Sequence, residues 1–122
     1  MEVAEVISYM ETVESIDYYA NQFPERANDC AVVRVEGGEP PNHYIIGLTS
    51  PNIQIIVRHR QASEAERIAK KIWKHFHGRE HFEIGSSYVY GTFAEQSEPI
   101  YLDHDDNGRS IYSINIACKV RQ

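Results

Sequence analysis

The stretch Ser63-Glu64-Ala65-Glu66-Arg67-Ile68-Ala69-Lys70-Lys71-Ile72-Trp73-Lys74-His75-Phe76-His77-Gly78 constrains the fold more than any other part of the chain. Ala65, Ile68, Ala69, Ile72 and Phe76 recur at steps of three and four, so they share one stripe of a helix. A helix with a single apolar stripe has to bury it, and a sheet is the usual cover. Ser63 followed by Glu66 predicts a capping box and Gly78 a left-handed cap, which sets the helix from about Glu64 to His77. His75 and His77 fall in the last turn, where the helix dipole favours positive charge. Trp73 flanks the stripe and suits either the edge of the core or a subunit contact. Arg67, Lys70, Lys71 and Lys74 make a basic strip, read as the solvated side of the same helix.

The sheet that this helix requires is legible on both sides of it. Cys30-Ala31-Val32-Val33-Arg34-Val35 is apolar on both faces, the pattern of a central, doubly covered strand. Asn52 to His59 alternates, with Ile53, Ile55 and Val57 on one face and Gln54, Ile56 and Arg58 on the other. Between them Gly37-Gly38 and Pro40-Pro41 predict a long loop running on to Pro51. Tyr88 to Phe93 forms a further strand, and Tyr112, Ile114, Ile116, Cys118 and Val120 line one face of a long last one. Asn107-Gly108 predicts a tight hairpin turn with positive φ at both central positions. Upstream, Val3, Val6, Ile7, Met10 and Val13 mark an amphipathic helix ending near Ser15, followed by an extended segment from Ile16 that stops at Pro24. The expected architecture is α+β, with two helices packed on a mostly antiparallel sheet in a single domain spanning 1–122.

Three groups of residues invite a chemical reading. Asp103-His104-Asp105-Asp106-Asn107-Gly108 opens like a calcium loop, but the position that should supply a bidentate Glu is Ile114, and a strand follows where that motif requires a helix. The group reads as a turn whose Asp and Asn bond their own backbone. His75, His77 and His81 with Glu80 and Glu83 are rich in ligand types, yet Gly78 interrupts the helix between the two histidines spaced four apart. They read as helix-end and surface histidines. Cys30 and Cys118 lie among aliphatics and read as free, packed thiols. The sequence carries no phosphate loop or nucleophile elbow, so no catalytic, cofactor-binding or metal residues are assigned. A net charge of −6 disfavours wrapping around nucleic acid. Neither a membrane-length apolar run nor a basic leader is evident, so a soluble protein made in the cytoplasm is expected.

Several landmarks follow one another in a characteristic order. They are Phe23-Pro24-Glu25, Asp29-Cys30-Ala31-Val32-Val33, Gly37-Gly38 with Pro40-Pro41, Pro51-Asn52-Ile53-Gln54-Ile55-Ile56-Val57-Arg58, the alanine-containing helix closing at His77-Gly78, and Asp106-Asn107-Gly108-Arg109 before Tyr112-Ser113-Ile114-Asn115. From Phe23 onward this succession resembles the tail terminator proteins of long-tailed bacteriophages, also called minor capsid proteins. The N-terminal helix and Tyr18-Tyr19 lie outside the resemblance.

The resemblance implies a non-enzymatic virion protein that forms a hexameric ring at the head-proximal end of the tail, after assembly in the host cytoplasm. Its implied partners are further copies of itself, the tail tube protein and the head–tail connector or neck protein. No cofactor, membrane or sequence-specific nucleic acid is implied, although phage DNA would pass through the ring lumen. Gly37, Gly38, Gly78, Asn107, Gly108 and Asn115 are expected to serve the fold and its turns. Pro40, Pro41 and Tyr44 of the long loop, Trp73, and Asp103, Asp105, Asp106 and Arg109 of the turn are the candidate subunit or ring contacts. A head-side neck or completion protein is the alternative within the same biology, and a small metal- or ligand-binding module is the reading from a different class.

Overall fold

The computed structural model describes residues 1–121. In chain order the elements are α1 (Val3–Val13), β1 (Asp17–Ala20), β2 (Cys30–Glu39), β3 (Leu48–His59), α2 (Ala62–Phe76), β4 (Arg79–Ile84), β5 (Ser87–Ala94), β6 (Ile100–His104) and β7 (Ser110–Arg121). Among the described residues the strands form one seven-stranded sheet ordered β1-β2-β3-β7-β5-β4, with β6 paired to β7. The pairings are antiparallel except for β1 with β2, which run parallel. The architecture is α+β, with helices on a predominantly antiparallel sheet.

The helix stripes and the strand alternation meet in one core. Ile68, Ala69, Ile72 and Phe76 of α2 and Val6 and Met10 of α1 pack on Ala31, Val33, Ile53, Ile55, Val57, Ile114, Ile116 and Val120. Each fully buried aliphatic of this size contributes about 1.5–3 kcal/mol by leaving water. The opposite face is covered at one end by the segment before β2. Two buried arginines, each 5% exposed, hold that segment by its carbonyls. Arg58 lies over the Phe23 ring and donates to Pro24 O and Ala27 O. Arg109 donates to Glu25 O and Ala27 O at 3.0 and 3.1 Å. This cover explains why Cys30, on the face turned away from the helices, is buried.

Local details depart from the sequence expectation where long-range contacts supply a better partner. The helix α2 begins at Ala62, with Gln61 as N-cap and no side-chain capping bond, so the Ser63–Glu66 box does not form. Glu66 instead meets Lys70 one turn on, 2.6 Å away. Gly78 does take the left-handed conformation (φ 73°), and its N–H bonds Thr92 O. The strand β4, unanticipated in the charged run Arg79-Glu80-His81-Phe82-Glu83, forms because β5 offers it a ladder.

The expected loop over residues 37–51 contracts to 40–47, because both strands run further than their glycines and proline suggest. A bulge between Glu36 and Glu39 absorbs Gly37 and Gly38, with Gly38 at φ 65°. Opposite, Pro51 falls between the register pairs of Ser50 and Asn52, where its missing N–H removes no ladder bond.

The hairpin after β6 is also not the turn expected. Only Gly108 has positive φ (74°), whereas Asn107 does not. Gly108 N–H bonds Asp105 O and Asp105 N–H bonds Arg109 O, the pattern of a turn closed by a left-handed glycine bulge.

Candidate functional site

The candidate contacts are held in three places, and their surroundings differ sharply. Pro40, Pro41 and Tyr44 belong to the arm that joins β2 to β3. Asn42 organises its tip, since its Oδ1 accepts from the N–H of Tyr44 and of Ile45 at 2.8 and 2.9 Å. The tip is apolar and open, with Tyr44 95% and Ile46 90% exposed. Ile45 and Ile46 escaped the sequence reading. The signal was present, three large apolar residues in a row inside a proline-flanked loop, where turn chemistry calls for polar ones.

The hairpin residues turn largely inward. Asp105 Oδ1 accepts from the backbone of Asn107 and Arg109, both at 3.0 Å, and its Oδ2 takes the Arg109 Nε at 2.7 Å. Burial works to raise the Asp105 pKa, but these donors and the guanidinium outweigh it and hold the carboxyl below its ordinary range. Arg109 thus has its guanidinium inside the subunit, on Asp105 and the 21–29 segment, and is not a surface group here. Asp103 (φ 82°), Asp106 and Asn107 remain exposed. Asp103 bonds the N–H of His104 at 2.8 Å. No group of metal-ligand side chains converges among the described residues.

Trp73 is half-buried at the edge of the core. Its Nε1 donates to Gln96 O at 2.8 Å, and its ring stacks on His77 at 4.7 Å. Gln96 also accepts from Asn115 of β7 at 3.3 Å, so the 95–99 segment is pinned beside α2. Two adjoining hollows of about 240 and 220 Å3 result, lined by Lys70, Trp73, Lys74, Pro99, Tyr101 and Tyr112 among others. Glu66 and Glu98 also line these hollows, and Tyr101 and Leu102 are half exposed on the edge strand β6. A larger polar hollow of about 460 Å3 lies at the β2 bulge, between Gly38, Ser50, Glu95 and Lys119. There Lys119 Nζ donates to Ser50 Oγ at 2.7 Å.

Several other titratable groups serve the fold. Three of the four bases of the strip on α2 are paired with acids: Glu14, at the end of α1, receives Lys71 at 2.8 Å and Arg67 at 3.5 Å, and Lys70 pairs with Glu66. Lys71 holds the Glu14 carboxyl below its ordinary range. His75 Nε2 lies 2.7 Å from the Tyr9 hydroxyl, linking the two helices. Burial, with Arg79 nearby, lowers its pKa, so it is neutral at pH 7 and is not the dipole-stabilised cation that its position in the last turn suggested. Burial pushes the Cys118 thiol up to about 12 and raises Cys30 as well, leaving both protonated and unreactive.

Comparison with known families gives one match. A family described as bacteriophage tail terminator protein matches residues 3–122, which takes in the N-terminal helix as well as the landmarks from Phe23 onward. No curated protein matches the chain.

Proposed function

We infer the role of this chain from its family: it belongs to the bacteriophage tail terminator family, and we propose that it closes the tail tube. In this reading the protein forms a hexameric ring at the head-proximal end of the tube. The ring stops tube growth and offers a surface to the head–tail connector, with DNA passing through its lumen. The family match along nearly the whole chain is the observation that carries the proposal. The geometry is compatible. A ring of head-to-tail contacts needs two different surfaces per subunit, and the exposed apolar arm tip is a candidate for one of them. The role proposed is structural, with positioning of neighbouring proteins rather than bond chemistry as its output.

Deletion of the gene tests this directly. Electron microscopy of the lysate is expected to show DNA-filled heads without tails beside tubes of irregular, often excessive length. Tails of normal length that merely lack heads would transfer the protein to the neck. Normal infectious particles would remove it from tail assembly.

A further inference from the structure

The segment between β1 and β2 is tied to the sheet by side chains rather than by a ladder. Among the described residues no backbone N–H or C=O from Phe23 to Asn28 bonds another backbone group. The middle of the segment hangs instead on two guanidiniums. Arg58 donates to the carbonyls of Pro24 and Ala27, and Arg109 to those of Glu25 and Ala27. The ends are fixed independently. Asn21, left-handed at φ 68°, donates its N–H to Val33 O and accepts from Arg34 Nε at 3.1 Å, while Asp29 pairs with Arg60 at 2.8 Å.

The closed position is costly for one of the two arginines. Arg109 has the Asp105 carboxylate, whereas Arg58 has only carbonyls and the Phe23 ring, and its buried Nε has no partner among the described residues. A guanidinium held in this way loses hydration that carbonyls only partly replace. The segment gives little apolar burial in return. Glu25, Arg26 and Asn28 are exposed, and Phe23, Pro24 and Ala27 are only partly buried. Lifting it rehydrates both arginines and leaves the core between helices and sheet intact, because no residue from 21 to 29 belongs to that core.

We propose that residues 22–28 are a strap that opens as a unit while the rest of the fold stays closed, with Arg109 as the latch by which the β6–β7 hairpin controls it. Asp105 fixes Arg109 to the hairpin at 2.7 Å, and Asp103 and Asp106 stand exposed on the same turn, so a contact that moves the turn moves the latch. The open strap frees two guanidiniums and the Cys30 thiol, which in the closed form lies 3.7 Å from Ala27 O. The strap is independent of the terminator reading.

The two native thiols report on the opening, since Cys118 belongs to the helix-covered core and Cys30 lies under the strap. Alkylation with N-ethylmaleimide and peptide mass mapping give a rate for each, divided by the rate of the same thiol in urea-unfolded protein. Cys30 is expected to react at least about tenfold faster than Cys118, and in low urea its rate should scarcely change while that of Cys118 climbs. Ile72→Val, in the core beneath α2, should speed Cys118 severalfold and leave Cys30 unchanged, because it weakens the closed and the strap-open forms alike. Arg109→Lys, which keeps the charge but loses the fork, should speed Cys30 by about fivefold. Asp105→Asn, the milder change, leaves both buried arginines without an acid and should act on Cys30 in the same direction. Equal corrected rates for the two thiols, or a Cys30 rate that rises with Ile72→Val, would mean that Cys30 is uncovered only by global unfolding and would overturn the strap. A Cys30 rate unmoved by the Arg109 and Asp105 variants would overturn the latch.

Discussion

At the residue scale, two neighbouring glycines have unequal duties. A Cβ on Gly38 would lie 1.8 Å from the carbonyl oxygen of Ser50, and its φ of 65° is one that side chains disfavour, whereas a Cβ on Gly37 would meet nothing within 4 Å. The bulge therefore requires glycine at the second position only. Gly38→Ala is expected to destabilise the protein by more than about 1 kcal/mol, the threshold for adding a side chain at positive φ, and by more again because backbone blocks the space. Gly37→Ala should melt within a degree or two of the parent. Equal melting temperatures for the two variants would mean the bulge is misregistered. The turn glycine is the milder case. Gly108 has φ 74° but open space around it, so replacing it costs about 1–2 kcal/mol of backbone strain with no clash.

At the scale of elements, α2 is held on one side by burial and on the other by ion pairs that matter unequally. Ile72 is fully buried in the core between helix and sheet. Ile72→Ala should cost about 2–5 kcal/mol, as buried large-to-small changes do. The appropriate exposed control is Lys74, because Lys71 holds the mostly buried Glu14 carboxylate and so joins α1 to α2. Chemical denaturation should show a lowered midpoint for Ile72→Ala and almost none of that shift for Lys74→Ala. Comparable losses would mean that the helix presents the wrong face to the sheet. The arm is an element of the other kind. Ile45 is half buried beside Leu48 and Tyr90, but Tyr44 and Ile46 bury almost nothing within the subunit, so changes at those two are expected to leave stability intact and to act on assembly alone.

At the scale of the whole molecule, the displaced titrations add in one direction on the acid side. Glu14 and Asp105 have pKa values below those of the unfolded chain, the first held by Lys71 and the second by donors that outweigh its burial. His75 is lowered by burial below its ordinary value of 6.5. A group with a depressed folded pKa stabilises the fold above its unfolded pKa, and that stability is lost as pH falls through the folded one. The loss should begin just below pH 6.5, as the unfolded chain takes up a proton on His75 that the fold resists, and deepen through the carboxylate range. Melting temperatures measured from pH 7 to pH 3 should fall throughout. Asp105→Asn should start lower at pH 7, having lost the Arg109 partner, and descend less steeply below pH 4.5. An unchanged slope would mean that the Asp105–Arg109 pair does not anchor the hairpin.

What the sequence determined by itself is what depends on near neighbours along the chain. Periodicity alone located α1, α2, the long last strand and the faces of β3, because a side chain's direction repeats every 3.6 residues in a helix and every two in a strand. The left-handed end of α2 at Gly78 followed from glycine's lack of a Cβ. The rest turned on contacts between distant segments, which no local pattern encodes. β1 runs parallel to β2 because the 21–29 segment returns the chain to the start of β1 before β2 begins, and β4 exists because β5 gives its charged residues a ladder. Arg109 was expected at a subunit contact and Arg58 only on the second face of its strand, and only the folded chain supplies the carbonyls of residues 24–27 that make their burial tolerable. The apolar tip and the groove are each visible as residues in the sequence. Their placement towards opposite ends of β3 was decided by the tertiary structure alone.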